Sequence, residues 1–255
     1  GHVRGVSSIA FSPNSRILYV ACDVTVTAWD SNSGRFIRRI GRGTEFVTSL
    51  AVPKDGRYLS GCTWSGQVYV WNLEAGKETR HWKAHDGAIK SIAYSYDGKL
   101  LITGSDDKTA RMWDPSSGQC ILTVTDPSNC ILSATFSHDG QYIVTAGKPP
   151  IWQQSEFQIA SDTKFYIHLW NAKSGALINR ISTNGEGLKA VSFSSDDRYI
   201  ISAGLGRTVR VWSAFNGKLV NELKGHTNAI TCITVVPHAN LVATGSEDAT
   251  VKIWD

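Results

Sequence analysis

The chain has 255 residues, 42% of them hydrophobic and 10% aromatic, and a formal net charge of +4. That composition supplies a packed core and excludes a disordered chain, while so mild a charge does not by itself imply a polyanionic partner. No apolar run approaches the roughly 20 residues that cross a bilayer, and the N-terminal stretch lacks the apolar segment of a secretion signal.

In chain order, the first unit carries strand-like SIAFS (8–12), ILYVA (17–21) and VTVTAW (24–29), closing on Trp29. The order returns with QVYVW and Trp71, with SIAYS, LLITG and TARMW ending on Trp113, and with YIHLW ending on Trp170. AVSFS, YIISA and TVRVW lead to Trp212, and TVKIW ends on Trp254. These six tryptophans stand 42, 42, 57, 42 and 42 residues apart. Five residues beyond the first five of them come Gly34, Gly76, Gly118, Gly175 and Gly217, and KDGRY, YDGKL and HDGQY mark earlier turns. Glycine accepts the positive φ of tight strand connections, so these positions predict hairpins.

Each unit is therefore a predicted four-stranded antiparallel meander. Its strands are apolar at nearly every position, which suits a sheet covered on both faces. One such sheet cannot bury two faces alone, but copies stacked in a ring can. A β-sandwich or β-solenoid leaves the fixed interval of one tryptophan per unit without a cause. The expected architecture is an all-β propeller of six blades forming one domain over 1–255. Its repeats fall at about 1–40, 41–82, 83–124, 125–181, 182–223 and 224–255, the last lacking its outer strand.

The five cysteines, Cys22, Cys62, Cys120, Cys130 and Cys232, are scattered and never form CxxC, and no Asn-x-Ser/Thr sequon occurs. Reduced thiols in an intracellular compartment, cytoplasm or nucleus, are expected rather than disulfides or a zinc site. P-loop, HExxH, GxSxG and EF-hand patterns are absent, and GLG at 204–206 is a degenerate turn. No metal and no cofactor are expected.

GSDDKTARMWD (104–114) and GSEDATVKIWD (245–255), with AH at 84–85 and GH at 225–226, resemble the WD-repeat β-propeller family over the whole chain. The resemblance implies a hydrogen-bonded tetrad in each well-formed repeat: a histidine before the first strand, a hydroxyl on the second, an aspartate in the next turn and the tryptophan. Two repeats match it fully, with His85, Thr103, Asp107 and Trp113, and with His226, Thr244, Asp248 and Trp254. The first keeps His2, Asp23 and Trp29 but has Val20 at the hydroxyl position; the fourth keeps Thr145 and Trp170, the fifth Ser202 and Trp212, the second only Trp71. Apolar packing is expected to do most of the holding in the second, fourth and fifth units. A hydroxyl, a histidine and an aspartate in contact also invite a hydrolase reading. Against it, a nucleophile must be exposed beside an oxyanion site, whereas this series ends on a packed indole. No catalytic residues are expected.

The resemblance also places the connections holding His85 and Asp107 on the top face, where relatives usually bind ligands. Ser7, Thr48, Lys90, Leu132, Lys189 and Thr231 fall on its inner rim, with Phe46 two residues before Thr48. Trp64, Asp106 and Glu247 precede the turn-aspartate position. Phe46 and Trp64 share a repeat, and either anchor a partner or cover a neighbouring blade. The extra length between Trp113 and Trp170 lies at 148–163, in a turn on this face, and brings Trp152 and Phe157; it is a partner contact, a partial lid or a tolerated loop.

A second candidate surface is basic: Arg35, Arg38, Arg39 and Arg42 in one predicted outer strand, and Lys77, Arg80 and Lys83 in the next. Its alternatives are a charged edge that discourages strand pairing and a nucleic-acid or ribonucleoprotein contact. The expected function is a non-catalytic scaffold, part of a larger complex, that docks peptides or proteins on the top face, with neither membrane nor small-molecule substrate as partner. The start on GH and the stop on WD suggest a piece of a longer protein with six or seven blades.

Overall fold

A computed structural model describes residues 5–42, 45–126, 129–148, 165–183, 187–236 and 241–255, the side chain of Arg42 excepted. The described residues are strands and turns throughout, in two compact units, 1–124 and 125–255.

The first unit holds three antiparallel meanders. They are β1 (Val6–Phe11), β2 (Ile17–Cys22), β3 (Thr25–Asp30) and β4 (Phe36–Arg42); β5 (Val47–Ala51), β6 (Tyr58–Thr63), β7 (Gln67–Asn72) and β8 (Lys77–Lys83); and β9 (Ile89–Tyr94), β10 (Leu101–Ser105), β11 (Thr109–Asp114) and β12 (Gln119–Thr125). The second unit holds β13 (Cys130–Phe136), β14 (Tyr142–Lys148), β15 (Tyr166–Asn171) and β16 (Leu177–Ser182), then β17 (Leu188–Phe193), β18 (Tyr199–Gly204), β19 (Thr208–Ser213) and β20 (Leu219–Lys224). Its last sheet has three strands, β21 (Ile230–Val235), β22 (Val242–Ser246) and β23 (Val251–Trp254).

The register repeats with the sequence. Each tryptophan pairs across to an aliphatic residue on the second strand of its sheet: Leu18, Leu59, Leu101, Ile143, Ile200 and Val242 in turn. Trp71, Trp113, Trp170 and Trp212 are buried, while Trp29 and Trp254 are half-buried. The turn after each indole is fixed locally. In the first, Asp30 accepts the Ser33 amide at 2.7 Å on its carboxylate and the Gly34 amide at 2.9 Å on its carbonyl, and Gly34 sits at φ 67°.

Within the first unit the first strands β1, β5 and β9 pack in succession, as β13, β17 and β21 do in the second. Coverage on both faces holds for the inner strands β6, β7 and β10, whereas β1 and β23 are largely exposed and β8 is exposed along nearly its whole length. In the second sheet, glycine seats the indole: a Cβ on Gly61 would lie 2.9 Å from Trp71, and one on Gly41 only 2.4 Å from its Nε1. The Trp71 ring thus occupies space that a side chain at 61 would need, and Gly61 offers it no hydroxyl.

None of the five cysteines is in a disulfide; Cys22, Cys62 and Cys130 are buried, and Cys120 and Cys232 are exposed. Burial pushes the Cys62 thiol up to about 12, so it stays protonated. Among the described residues no helix is long and apolar enough to cross a membrane.

Candidate functional site

The two full tetrads are assembled alike. His85 Nδ1 lies 2.9 Å from Asp107 Oδ2 and its Nε2 2.7 Å from Thr103 Oγ1, while Trp113 Nε1 donates to Thr103 Oγ1 at 2.9 Å. His226, Asp248, Thr244 and Trp254 repeat this at 2.8, 2.8 and 2.9 Å. An indole only donates and a carboxylate only accepts, so the two end groups fix the direction of the intervening bonds. Thr103 donates to Nε2 of a neutral imidazole, whose Nδ1–H donates to Asp107. Burial lowers the His85 pKa, which favours that neutral form. Burial alone would raise the Asp107 carboxyl, but hydrogen bonds from His85 and Thr109 overcome it and hold the group well below the usual carboxylate range. Asp248 is also held low, chiefly by the Thr250 hydroxyl. His85 and Thr103 are buried, which leaves no room for a substrate at the hydroxyl.

The incomplete units solve the same problem differently. Val20 offers no hydroxyl at the tetrad position, and Trp29 Nε1 donates to Thr27 on its own strand at 2.9 Å. Trp170 and Trp212 keep Thr145 and Ser202 as acceptors, at 3.0 and 2.8 Å. The fourth unit is not held by apolar packing alone, because His168 Nδ1 lies 3.1 Å from Asp126 Oδ2 with both side chains buried. Asn129 also donates to Asp126 from its amide side chain at 2.9 Å.

The partner-binding candidates divide into engaged and exposed groups. Thr48 lies against the next sheet: its hydroxyl donates to the Ile89 carbonyl at 2.6 Å, as Ser7 donates to that of Val47 at the same distance. Both hydroxyls thus join successive sheets. Lys90 Nζ sits 3.0 Å from Asp106 Oδ2 and 3.6 Å from the centre of the Trp64 ring, so the ammonium lies over the indole while paired with the carboxylate. In the second unit, Lys189 Nζ pairs with Glu247 at 2.6 Å, and Leu132 is half-buried. Trp152 and Phe157, with all but the first residue of the 148–163 insertion, lie outside the described residues, as does His2.

Phe46 and Trp64 remain open, at 50% and 62% exposure. The Trp64 amide donates to the Phe46 carbonyl at 3.1 Å, which places both side chains at the end of the unit that carries the β6–β7 turn. They line a cavity of about 520 Å³ with Glu45 and Ser65. Glu45 was not among the sequence candidates. It accepts hydrogen bonds from the Ser65 and Thr63 hydroxyls, and Ser65 holds the position that Asp107 occupies in the next sheet. A second cavity, of about 470 Å³, reaches Tyr58, Tyr94, Arg80, Lys99, Asp55 and Asp114 near the opposite turns of the same unit. Its charged groups balance, and Asp114 already bonds Ser116 and Ser117.

The basic strands are largely spoken for. Arg38 donates to the Leu73 carbonyl, and Arg80, at the same place one unit on, donates to the Ser117 carbonyl at 2.9 Å. Each guanidinium thereby ties an outer strand to a turn of the following sheet. Lys83 donates to the Ser65 carbonyl at 2.7 Å. Arg35, Arg39 and Lys77 are exposed. Among the described residues, no cluster of His, Cys, Asp and Glu has the arrangement to hold a metal ion.

The family model described as "WD domain, G-beta repeat" matches residues 1–30, 34–72, 76–114, 118–148, 175–213 and 217–255. Autophagy-related protein 16 of Arabidopsis thaliana is 24% identical over 99% of this chain and 48% of its own length. Nuclear distribution protein PAC1 of Arthroderma benhamiae is 26% identical over 82% of this chain and 50% of its own. The guanine nucleotide-binding protein subunit beta of Saccharomyces cerevisiae is 26% identical over 48% of this chain and 30% of its own. The chain thus spans about half the length, or less, of these relatives.

Proposed function

The chain belongs to the WD-repeat β-propeller family, and on that footing we propose that it is a non-catalytic interaction scaffold that docks peptides or proteins at the end of the first unit where Phe46 and Trp64 stand open. One observation carries this reading. Two large, exposed aromatic side chains share an open depression of about 520 Å³, and Lys90, paired with Asp106, lies over one of the rings. Aromatic anchors that are fixed before binding lose little entropy on contact, and such residues dominate the energetics of interfaces. The buried, directionally ordered tetrads leave no hydroxyl poised for attack, so the reading is recognition without catalysis. Lys189 and Glu247 in the second unit, and the 148–163 insertion with Trp152 and Phe157, belong to this proposal as further contact points. The setting is intracellular, within a larger complex.

The experiment is affinity capture with the intact chain, with Phe46→Ala/Trp64→Ala, and with a chain lacking 148–163. Partner recovery should fall sharply with the aromatic double variant at unchanged fold. Recovery equal to wild type would remove this face from the reading. Nucleic-acid binding along the outer strands rests on fewer groups than the sequence offered, since Arg38, Arg80 and Lys83 are engaged by backbone carbonyls. It would show as salt-dependent RNA or DNA retention that Arg39→Glu/Lys77→Glu abolishes.

A further inference from the structure

We propose that the cavity of about 470 Å³ between the second and third sheets of the first unit docks a proline-rich segment of a partner, held as a polyproline II helix. This site lies near the turns opposite Phe46 and Trp64, so it is separate from the docking face proposed above. Its walls are the rings of Tyr58 and Tyr94 with Val70, Pro53 and Pro115. Two bases, Arg80 and Lys99, against two acids, Asp55 and Asp114, leave no net charge to attract an acidic or a basic peptide.

Hydrogen-bonding capacity, unlike charge, is unequal. The acceptors are taken up within their own turns. Asp114 accepts the Ser116 amide and the hydroxyls of Ser116 and Ser117 at 2.8, 2.6 and 2.8 Å, and Asp55 accepts the Arg57 amide at 3.0 Å. The donors keep spare capacity. Arg80 commits one of its N–H groups to the Ser117 carbonyl, and Lys99 Nζ stands 3.8 Å from Asp97, beyond hydrogen-bonding distance. Tyr58 is 37% exposed, and its hydroxyl has no partner among the described residues. An ordinary peptide would bring a backbone N–H at every residue to a cavity whose acceptors are engaged, and each stranded donor weakens binding. Proline has no N–H, so a proline-rich segment presents carbonyls to the donors and apolar rings to the tyrosines and Val70. Its extended form exists before binding, so little ordering entropy is lost, and aromatic-lined grooves suit it. A carboxylate-bearing peptide would gain Arg80 and Lys99 but meet Asp55 and Asp114.

The test is fluorescence polarisation of three labelled peptides of equal length against the 255-residue chain. The probes are a Ser-Pro-Pro repeat, a Ser-Ala-Ala repeat and a Ser-Glu-Glu repeat. The proline repeat should bind saturably and about tenfold more tightly than the alanine repeat, the scale of one stranded donor. Tyr58→Phe keeps the ring and removes the donor, and should weaken that binding about fivefold, as should Lys99→Met, on the scale of one net hydrogen bond. Unchanged urea midpoints will show that both variants keep the fold. Phe46→Ala/Trp64→Ala should leave the affinity as it is. No saturable binding of the proline repeat, equal binding of the alanine repeat, tighter binding of the glutamate repeat, or indifference to both Tyr58→Phe and Lys99→Met would each overturn the proposal. Binding lost with Phe46→Ala/Trp64→Ala would overturn it too, by placing the peptide on the other face.

Discussion

Replacing Thr103 by valine removes a single hydroxyl from the centre of a four-member chain and changes the volume very little. The Thr103 oxygen accepts from Trp113 Nε1 and lies 2.7 Å from His85 Nε2, and both partners are buried. Both would be left without a partner where water cannot follow. At about 1–3 kcal/mol for each of the two stranded buried groups, the expected loss is about 2–6 kcal/mol. Thr244→Val deletes the equivalent hydroxyl in the last sheet, where Trp254 is half-buried and water can take over part of the bond, so about 1–2 kcal/mol is expected. Urea titration followed by circular dichroism measures both, with an unchanged slope confirming that the denatured state is comparable. A loss below about 0.5 kcal/mol for Thr103→Val, or one no larger than for Thr244→Val, would refute the claim that a directed, water-free chain holds the third sheet.

Acid should act in two stages. The folded His85 pKa lies below the ordinary imidazole value, so the unfolded chain takes up a proton first and stability falls as pH drops below the usual histidine range; the depressed Asp107 and Asp248 carboxyls give a further loss below the usual carboxylate range. His85→Gln should flatten the first stage in a pH series of urea midpoints and weaken the second, since Asp107 loses a bond that holds it low while Asp248 keeps its own. Gly66→Ala should cost about 3 kcal/mol or more, because φ is +84° and the new methyl carbon would sit 2.1 Å from the His85 carbonyl; soluble yield and melting temperature will show it. Arg38→Met and Arg80→Met should each cost about 0.5–1.5 kcal/mol through loss of the bond to the next sheet, additively in the double variant.

The fold was legible because one indole and one turn glycine recur at a fixed interval, and the pairing of each tryptophan with an aliphatic partner follows that interval. The tetrads were read from the family resemblance, whose pattern His85, Thr103, Asp107 and Trp113 match in full. The uses of Thr48 and Arg38 were not, since a hydroxyl or guanidinium at a repeated position reads identically whether it faces solvent or a neighbouring sheet. The Asp126–His168 pair escaped because its members stand before the first strand and on the third, far apart in sequence. One signal existed: His168 stands two residues before its tryptophan, where the other units have Thr27, Tyr69, Arg111, Arg210 and Lys252. Glu45 gave no signal, because nothing in a single sequence joins it to the Ser65 hydroxyl.

The most direct test of recognition through Phe46 and Trp64 is the affinity of a captured partner for the intact chain, for each alanine variant, and for Arg39→Glu/Lys77→Glu. Aromatic anchors predict a loss of about 2 kcal/mol, roughly thirtyfold in Kd, for Phe46→Ala or Trp64→Ala, with the charge variant near wild type. Affinity unchanged by both alanines and collapsing with the charge reversal would place binding on the outer strands and contradict the account.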